Sequence, residues 1–520
     1  MESSFTVSTV AAASKDDNHK RQCWECLRRR LVCDFARPGC KKCQTHGAEC
    51  PGYGEKKPLK WLAPGKVKSR TRKQALVKRT PHTSHDLEKC TVALTAITIN
   101  ELKAAEEMME GWEGWADVEF VPRNELRSDL LDVVQAVYYF NEYIYPEAKD
   151  INELAQNPFV TNFPVQLLHL MPPSIHHSVV CYILGYRIHH TLGDANQVMV
   201  RDQYSRMYHH RGRAIRSLTE ELNEEKSRMS DATLASIVLF LCSELQQQAQ
   251  LHNWRYHLDG LGKLVSMRGG YMKLASSPRP EMNVILAFFM IIGVYANTTS
   301  PPTDQITLLP HTDMMHLMNG FYQKNVFPNT LCAPALFTST IKINDLRARL
   351  AAIPVLDDSY RQEAENILEE LEGFSPEEWV AASDTKAPNE WILISTIHQS
   401  AVMIFCISSF QCLSLLPQSK AMESKRTFHG DRLILSLTKG VAKRNVERFI
   451  MWPLVVAGME AGNRSAAMRT WVHNSLRDMS KHLGSSSPLL ARDVLMKFWD
   501  NAAEKKGWDD CFDRPLAFMI

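Results

Sequence analysis

The feature that most constrains this chain is a cluster of six cysteines near its N-terminus. They follow the spacing C-x2-C-x6-C-x6-C-x2-C-x6-C, so the unit C-x2-C-x6-C occurs twice. The first copy is Cys23, Cys26 and Cys33, and the second is Cys40, Cys43 and Cys50. A C-x2-C step places two thiols on one turn of chain, where both can reach the same metal ion. The repeat therefore predicts a fold built around metal.

The segment from Cys23 to Cys50 has few apolar residues with which to build a core. They are Trp24, Leu27, Leu31, Val32 and Phe35. A domain of about thirty residues needs metals or disulfides, and structural zinc supplies on the order of 10 kcal/mol or more of folding free energy. Disulfides would need a secretory context, which residues 1–18 do not indicate because they lack a positively charged start. We therefore expect zinc, with His46 as a loop residue.

The cysteine count predicts a two-metal cluster with shared ligands. Tetrahedral zinc takes four ligands, so six cysteines can serve two ions only if two of them bridge. The repeat makes the leading cysteines Cys23 and Cys40 equivalent, and we expect these to bridge. One ion would take Cys23, Cys26, Cys33 and Cys40, and the other Cys40, Cys43, Cys50 and Cys23. The predicted cofactor is two Zn²⁺ per chain.

The whole segment resembles the fungal binuclear zinc-cluster (Zn2Cys6) family of DNA-binding domains. Besides the cysteines, the resemblance includes Asp34 after the third cysteine, the Arg37-Pro38 pair before the fourth, Gly47 in the second half, and Pro51-Gly52-Tyr53 after the last. In that family the loop proline is typically cis, so we expect a cis Pro38. The resemblance implies a nuclear transcription regulator that binds double-stranded DNA.

Basic residues flank the cysteines where such a protein would contact DNA. They are Arg28, Arg29 and Arg30 after Cys26, and Lys41 and Lys42 after Cys40. The family resemblance assigns Arg30 to reading a CGG triplet, and Arg suits bidentate contact with guanine. A solvated basic face is the alternative interpretation of such a run. Family members commonly have phosphate-binding Arg or Lys where this chain has Leu27 and Val32, so its affinity and its exact triplet are open.

Charge is distributed unevenly along the chain. From Lys20 to Arg79 there are 18 Lys and Arg against 4 Asp and Glu, whereas the rest has 42 against 54. A basic segment joined to an acidic body indicates a polyanionic partner. The stretch after the cysteines is punctuated by Pro58, Pro64, Gly65 and Pro81, so it is a predicted linker. Its predicted nuclear-localisation residues are Lys66, Lys68, Arg70, Arg72, Lys73, Lys78 and Arg79.

The remainder of the chain predicts an all-α body. Helical periodicity is expected over 126–145, 173–190, 201–226, 232–250, 254–268, 282–295, 358–371, 391–413 and 443–461. The first should stop before Pro146 and the last should kink or break at Pro453. Two apolar stretches, 284–296 and 391–416, are expected to be buried helices and not membrane spans, because one is short and the other contains His398 and Gln399.

The body resembles the fungal-specific regulatory domain found downstream of zinc clusters, especially in acriflavine sensitivity control regulators. The segments that carry this resemblance are Trp254–Gly260, Leu264–Gly270, Ser375–Trp379, Trp452-Pro453 and Trp508–Asp510. The predicted organisation is a disordered tail (1–19), a zinc-cluster domain (20–52), a basic linker with an acidic connection (53–122) and an all-helical regulatory domain (123–520). The fold class is mostly α.

The predicted function is sequence-specific regulation of RNA polymerase II genes, as in secondary metabolism or drug response. No phosphate-loop, dinucleotide, nucleophile-elbow or H-E-x-x-H motif is present, so no enzyme is expected. Adjacent histidines such as His176-His177, His189-His190 and His209-His210 point to different helix faces and should not share a metal. Two alternatives stay open: a metabolite-sensing or enzymatic body anchored by the cluster, and a cluster used only for protein contacts.

Two further patterns leave alternatives open. Acidic and aromatic residues mix in 101–120 and 499–513, which suits either an activation surface for the transcription machinery or solvated helix ends. A homodimer is also open, because apolar residues from Leu87 to Met108 follow a heptad-like spacing that Glu101 and a β-branched run interrupt.

Overall fold

The computed structural model describes residues 22–29, 31–48, 50–51, 129–154, 162–164, 171–191, 197–247, 253–277, 280–323, 332–351, 357–383, 385–500 and 507–518. The chain divides into two compact units, residues 1–81 and 82–520. Arg30, the basic linker, the heptad-like segment and the acidic stretch 101–120 lie outside the described residues.

The first unit contains two short helices, α1 (Trp24–Arg29) and α2 (Lys41–Thr45). The α1 helix begins within the first C-x2-C step, and α2 begins within the second. The Arg37–Pro38 peptide between them is cis, as the family resemblance predicts. Gly47 follows α2 with φ +63°, a left-handed conformation that favours glycine. Among the described residues of this unit, the buried ones are cysteines, with Leu31 and Cys50 packed against them.

The second unit begins with a helical layer. It consists of α3 (Asp129–Tyr139), a π-helix (Phe140–Ile144), α4 (Tyr145–Leu154), α5 (Pro173–Thr191), α6 (Gln197–Asn223), α7 (Glu225–Arg228) and α8 (Asp231–Gln246). The α3, α5 and α6 helices share a core that includes Val137, Val180, Ile183 and Met207.

The chain continues into a larger helical core. Its elements are α9 (Trp254–Met267), α10 (Tyr271–Ala275), α11 (Pro280–Thr298), a 3-10 turn (Pro302–Asp304), α12 (His311–Gln323), α13 (Pro334–Ala351), α14 (Asp358–Glu372), α15 (Pro376–Ala381), α16 (Pro388–Cys412), α17 (Lys420–Val441), α18 (Arg444–Glu447), α19 (Met451–Ala461), α20 (Ala466–Leu483), α21 (Ser487–Asp500) and a 3-10 turn (Asp509–Cys511). No strand occurs in the described parts of the chain. The mostly α fold class is therefore correct.

The two apolar stretches form central helices of this core. Glu281–Thr298 and Pro388–Cys412 are long and apolar enough to cross a membrane, but 89% and 83% of their apolar windows are buried inside the unit. Two polar residues of the second helix have protein partners, whereas the buried hydroxyl groups of Ser395, Ser400, Ser408 and Ser409 have no hydrogen-bond partner in the described parts of the chain. His398 Nε2 bonds to Phe449 O at 3.0 Å, and Gln399 Nε2 donates to Leu371 O and Phe374 O. This is the burial predicted for both stretches.

Two predicted helix ends differ from the structure. The first helix passes Pro146 without stopping, because the chain shifts to π-helical bonding just before it: Tyr145 N donates to Phe140 O, five residues back. That shift moves the carbonyl groups with which a proline ring would clash. The predicted helix 443–461 breaks at residues 448–450, ahead of Pro453. Pro453 lies in the first turn of α19, where no helical N–H bond is lost.

Candidate metal centre and nucleic-acid interface

The two short helices bring four cysteine thiols into one cluster. The Sγ atoms of Cys23, Cys26, Cys40 and Cys43 all lie within 4.8 Å of one another. Cys23 Sγ is 3.6 Å from Cys40 Sγ and 3.7 Å from Cys43 Sγ, and Cys26 Sγ is 3.6 Å from Cys40 Sγ. Thiolates bound to one tetrahedral zinc at about 2.3 Å are about 3.8 Å apart. The measured separations fit thiols that share a metal.

The remaining two cysteines lie at the margins of this cluster. Cys33 Sγ, Cys40 Sγ and a carboxylate oxygen of Asp34 form a second group within 4.8 Å. Cys50 Sγ accepts a hydrogen bond from Cys40 N at 3.4 Å. The structure therefore brings all six cysteines together, and no other such group of three or more candidate metal ligands occurs among the described residues.

Backbone donors are aimed at the leading cysteine of each repeat. Cys23 Sγ accepts from Cys26 N at 3.4 Å, and Cys40 Sγ accepts from Cys43 N at 3.3 Å. Burial raises the pKa of the Cys23 thiol above its usual range and that of Cys43 to about 12. Zinc must therefore displace protons as it binds, and its charge would then stabilise the thiolates that burial alone disfavours.

The predicted DNA-contacting cations are placed on the two helices as far as the structure describes them. Lys41 and Lys42 form the first turn of α2 and both are exposed. Arg29 lies on α1 and is also exposed, with Nε 2.6 Å from Glu25 Oε1. The backbone of Arg28 lies on α1, whereas Arg30 and the seven predicted nuclear-localisation residues lie outside the described residues.

Two exposed apolar side chains accompany these cations. Leu27 is 54% exposed and Val32 is 78% exposed, although each lies within six residues of a buried cysteine. These are the positions at which the family commonly has an Arg or Lys that binds phosphate. The structure gives neither residue a packing role in the unit's cysteine core, so the sequence departs from the family pattern on the surface and not in the fold.

The histidine pairs of the body meet across helices in a way that sequence reasoning missed. His177 Nδ1 on α5 lies 2.9 Å from His210 Nδ1 on α6, and His210 Nε2 lies 3.0 Å from Asp132 Oδ2 on α3. The adjacent His209 and His210 do not diverge, since their ring centroids are 5.4 Å apart and both side chains bond to aspartates of α3. One member of each of two pairs, His177 and His210, also meets the other across helices. The signal available in the sequence was only the helical placement of the pairs.

The C-terminal acidic and aromatic stretch is part of the core. Trp508 is fully buried and Phe512 is 2% exposed, while Trp508 Nε1 donates to Thr298 O at 2.6 Å. Asp509 pairs with Arg347, whose side chain is fully buried. The aromatic side chains of 508–512 are therefore not exposed as an activation surface. They are not solvated helix ends either, because they are buried.

Comparisons with known proteins agree with this two-unit organisation. The family model of the fungal Zn(2)-Cys(6) binuclear cluster domain matches residues 21–60. The model of the fungal specific transcription factor domain matches residues 138–519. No solved structure matches the chain.

A curated relative matches along nearly the full chain. It is the phomenoic acid biosynthesis cluster-specific transcriptional regulator of Leptosphaeria maculans, 34% identical over 518 residues, which cover 98% of this chain and 91% of the relative. A family model that spans most of the chain and a relative of this extent establish the family. The chain therefore belongs to the fungal zinc-cluster transcription factors, which join a zinc-binding, DNA-binding unit to a helical fungal-specific transcription factor domain.

Proposed function

We propose that the six cysteines bind two zinc ions and that Cys23 and Cys40 bridge them. The supporting observation is the position of these two thiols. Cys23 lies beside Cys40 and Cys43, and Cys40 lies beside Cys23 and Cys26, so the thiol of each is within 3.7 Å of two thiols of the other repeat. Each also accepts the N–H···S bond of its own C-x2-C step, which suits a thiolate that is shared between two cations.

Zinc counting on six single Cys→Ser variants of the full chain tests this arrangement. Cys23→Ser and Cys40→Ser should release both ions, because each removes a ligand from both. Cys26→Ser, Cys33→Ser, Cys43→Ser and Cys50→Ser should lose one ion first. A single zinc held by Cys23, Cys26, Cys40 and Cys43 is the competing arrangement. It would leave Cys33→Ser and Cys50→Ser with the wild-type zinc content of one ion, which would contradict our proposal.

The zinc unit reads a CGG-type DNA site and directs the regulatory body to it. Its exposed cations Arg29, Lys41 and Lys42 lie on the two short helices that begin beside Cys23 and Cys40, and Arg28 and Arg30 complete the basic set. Arg30 reads the bases, and the other four bind phosphates. A homodimer of the full chain would present two such units to a site with two triplets, and sedimentation on one-triplet and two-triplet probes distinguishes the two states.

Base reading and phosphate binding respond differently to mutation. Arg30→Ala should cost about 1–3 kcal/mol on the preferred triplet and little on a mismatched one. Lys73→Ala in the linker should weaken binding to both probes equally and reduce the salt dependence. Equal losses on matched and mismatched probes for Arg30→Ala would remove the base-reading assignment.

The protein acts in the nucleus as a regulator and not as an enzyme. The basic residues from Lys66 to Arg79 form the import signal, and replacing them all with alanine should leave a fluorescent fusion in the cytoplasm. The signal lies in the linker if the domains are 1–19, 20–52, 53–122 and 123–520, as predicted from the sequence. A fusion that stays nuclear without these residues would move the signal elsewhere in the chain.

The regulated genes form a biosynthetic cluster of secondary metabolism. The support is the relative from Leptosphaeria maculans, whose name describes a cluster-specific regulator of phomenoic acid biosynthesis. Genome-wide mapping of DNA bound by the full chain should give sites concentrated in the promoters of one gene cluster. Sites spread over unlinked genes, such as drug-response genes, would replace this assignment.

A further inference from the structure

We infer that Asp34 is a positioning residue that links the metal centre to the DNA-contacting cations of α2. This inference rests on the proposed function. Asp34 directly follows Cys33 in the first repeat, yet its Oδ2 accepts a hydrogen bond from the backbone N of Lys41 in the second repeat, at 3.0 Å. Lys41 is the first residue of α2. One carboxylate therefore holds the start of one half of the unit against the end of the other.

The bond satisfies a donor that has no partner within the helix. The first N–H groups of a helix lack intrahelical acceptors. Here Cys40 Sγ accepts from Cys43 N at 3.3 Å and Asp34 accepts from Lys41 N. Two N–H groups in the first turn of α2 are therefore satisfied, each by an acceptor from a different repeat. A negative charge at this end of a helix is also favourable. The direction in which Lys41 and Lys42 extend depends on this anchorage.

The location of Asp34 argues for a specific role and against chance. The residue is exposed, and its carboxylate lies at the first residue of α2, the helix that carries the exposed cations Lys41 and Lys42. An acidic group there repels DNA, so a structural contribution is needed to offset that repulsion. Its carboxylate also lies within 4.8 Å of the Cys33 and Cys40 thiols. Six cysteines complete two tetrahedral sites when two of them bridge, which leaves the carboxylate free to hold α2.

Two substitutions at this position separate the explanations. Asp34→Ala removes the acceptor, whereas Asp34→Asn removes the charge and keeps an acceptor oxygen. We expect Asp34→Ala to retain the zinc content of the wild type. It should lose about fivefold to tenfold in affinity for DNA, as for a lost helix cap, and its salt slope should fall by up to about 1.8, the share of two phosphate contacts. Asp34→Asn should restore most of the affinity and the slope.

A double-mutant cycle with Lys42→Ala ties the effect to α2. If Asp34 acts by placing the lysines, Lys42→Ala should cost less in the Asp34→Ala background than in the wild type. Zinc loss in both Asp34 variants would make Asp34 a metal ligand and overturn the inference. Tighter DNA binding by both would make it a repulsive charge and also overturn it, as would additive losses in the cycle. If the wild-type chain bound no DNA at all, the proposed function would fail instead.

Discussion

Leu27 and Val32 are two exposed residues at which substitution should change DNA affinity without changing the fold. Both side chains are exposed and neither packs in the cysteine core. We predict that Leu27→Arg combined with Val32→Lys tightens DNA binding, because two new cations can neutralise two more phosphates. The slope of log affinity against log salt should steepen by about 1.8. Binding measured at three or more salt concentrations checks this.

The matched control adds charge to the same unit at a position with no assigned DNA contact. Gln44 is exposed on α2, so Gln44→Lys raises the net charge without placing a cation where the family binds phosphate. It should change the salt slope less than either single substitution at Leu27 or Val32. An equal change in all three variants would mean that only the total charge of the unit matters.

Gly484 is a residue at which the backbone itself excludes other side chains. It ends α20 in a left-handed conformation, φ +58° and ψ +38°. A Cβ there would overlap the Tyr186 ring and lie 2.8 Å from Tyr186 Cα. We predict that Gly484→Ala destabilises the body by about 2–4 kcal/mol. Gly212→Ala, in the middle of α6 with no atom near its Cβ position, should instead stabilise it by about 0.5–1 kcal/mol. Chemical denaturation of the full chain measures both.

Spacing predicted which cysteines would cluster, because C-x2-C is a local constraint that can be recognised along one turn of chain. The role of Asp34 is different, since it depends on a bond across seven residues to a backbone N–H that no side-chain pattern reveals. The partnership of His177 with His210 spans 33 residues and depends on how α5 packs against α6. Sequence periodicity places such residues on helices but does not select their partners.

Helix packing creates a group that should make the body sensitive to acid. His177 lies on α5 and faces α6, and burial lowers its pKa to about 4, with the neighbouring His210 and Arg213 acting in the same direction. The facing groups are Asp129 and Asp132 on α3, His176 on α5, and Arg206, His209, His210 and Arg213 on α6. His177 is therefore neutral in the folded protein at neutral pH.

The direction of the pH effect follows from this lowered pKa. In the unfolded chain His177 takes up a proton near its ordinary pKa of about 6.5. Above that pH the residue is neutral in both states, so it does not reduce the stability of the fold. Stability is lost as the pH falls from there toward about 4, and the free energy of unfolding then decreases by up to about 1.4 kcal/mol per pH unit. His177→Gln should reduce the loss of stability between pH 7 and pH 5. Thermal unfolding at both pH values tests this, and an unchanged difference between them would contradict it.

Helix ends were less predictable than helix positions, for a physical reason at each site. Pro146 indicates a stop, yet a change of hydrogen-bond register from Tyr145 to Phe140 accommodates it. Pro453 indicates a kink, yet it takes the first turn of α19, and the break falls at 448–450. Both predictions were wrong in position, since the helix passes Pro146 and the break near Pro453 falls before that residue. The sequence did not show how the surrounding chain accommodates each proline without a helix end at that residue.

At the scale of the whole molecule, the C-terminal segment closes the large core. Residues 507–518 carry Trp508, Phe512 and Phe518, all buried. Thr299 at the end of α11 donates to Leu516 O and accepts from Leu516 N. The contact joins parts of the chain 217 residues apart, which is why composition alone suggested an acidic, aromatic surface. Asp509 pairs with Arg347 and Trp508 Nε1 donates to Thr298 O, and only the folded structure supplies these partners.

The pair formed by Arg347 and Asp509 gives the sharpest test of this closure. Arg347 is fully buried on α13; its Nη1 donates to Asn297 O at 2.9 Å, and its Nη2 donates to Ser300 O at 3.0 Å and to Asp509 Oδ1 at 2.5 Å. Burial lowers the pKa of Arg347, and Asp509 opposes that shift. Asp509→Asn leaves the buried guanidinium without its counter-charge, so we predict that the free energy of unfolding falls by about 3 kcal/mol.

Glu363→Gln is the matched control, because Glu363 pairs with Arg349 on the same helix with both side chains more than a third exposed. It should cost less than about 1 kcal/mol. Equal losses in the two variants, measured by chemical denaturation of the full chain, would show that the C-terminal segment does not depend on this buried charge.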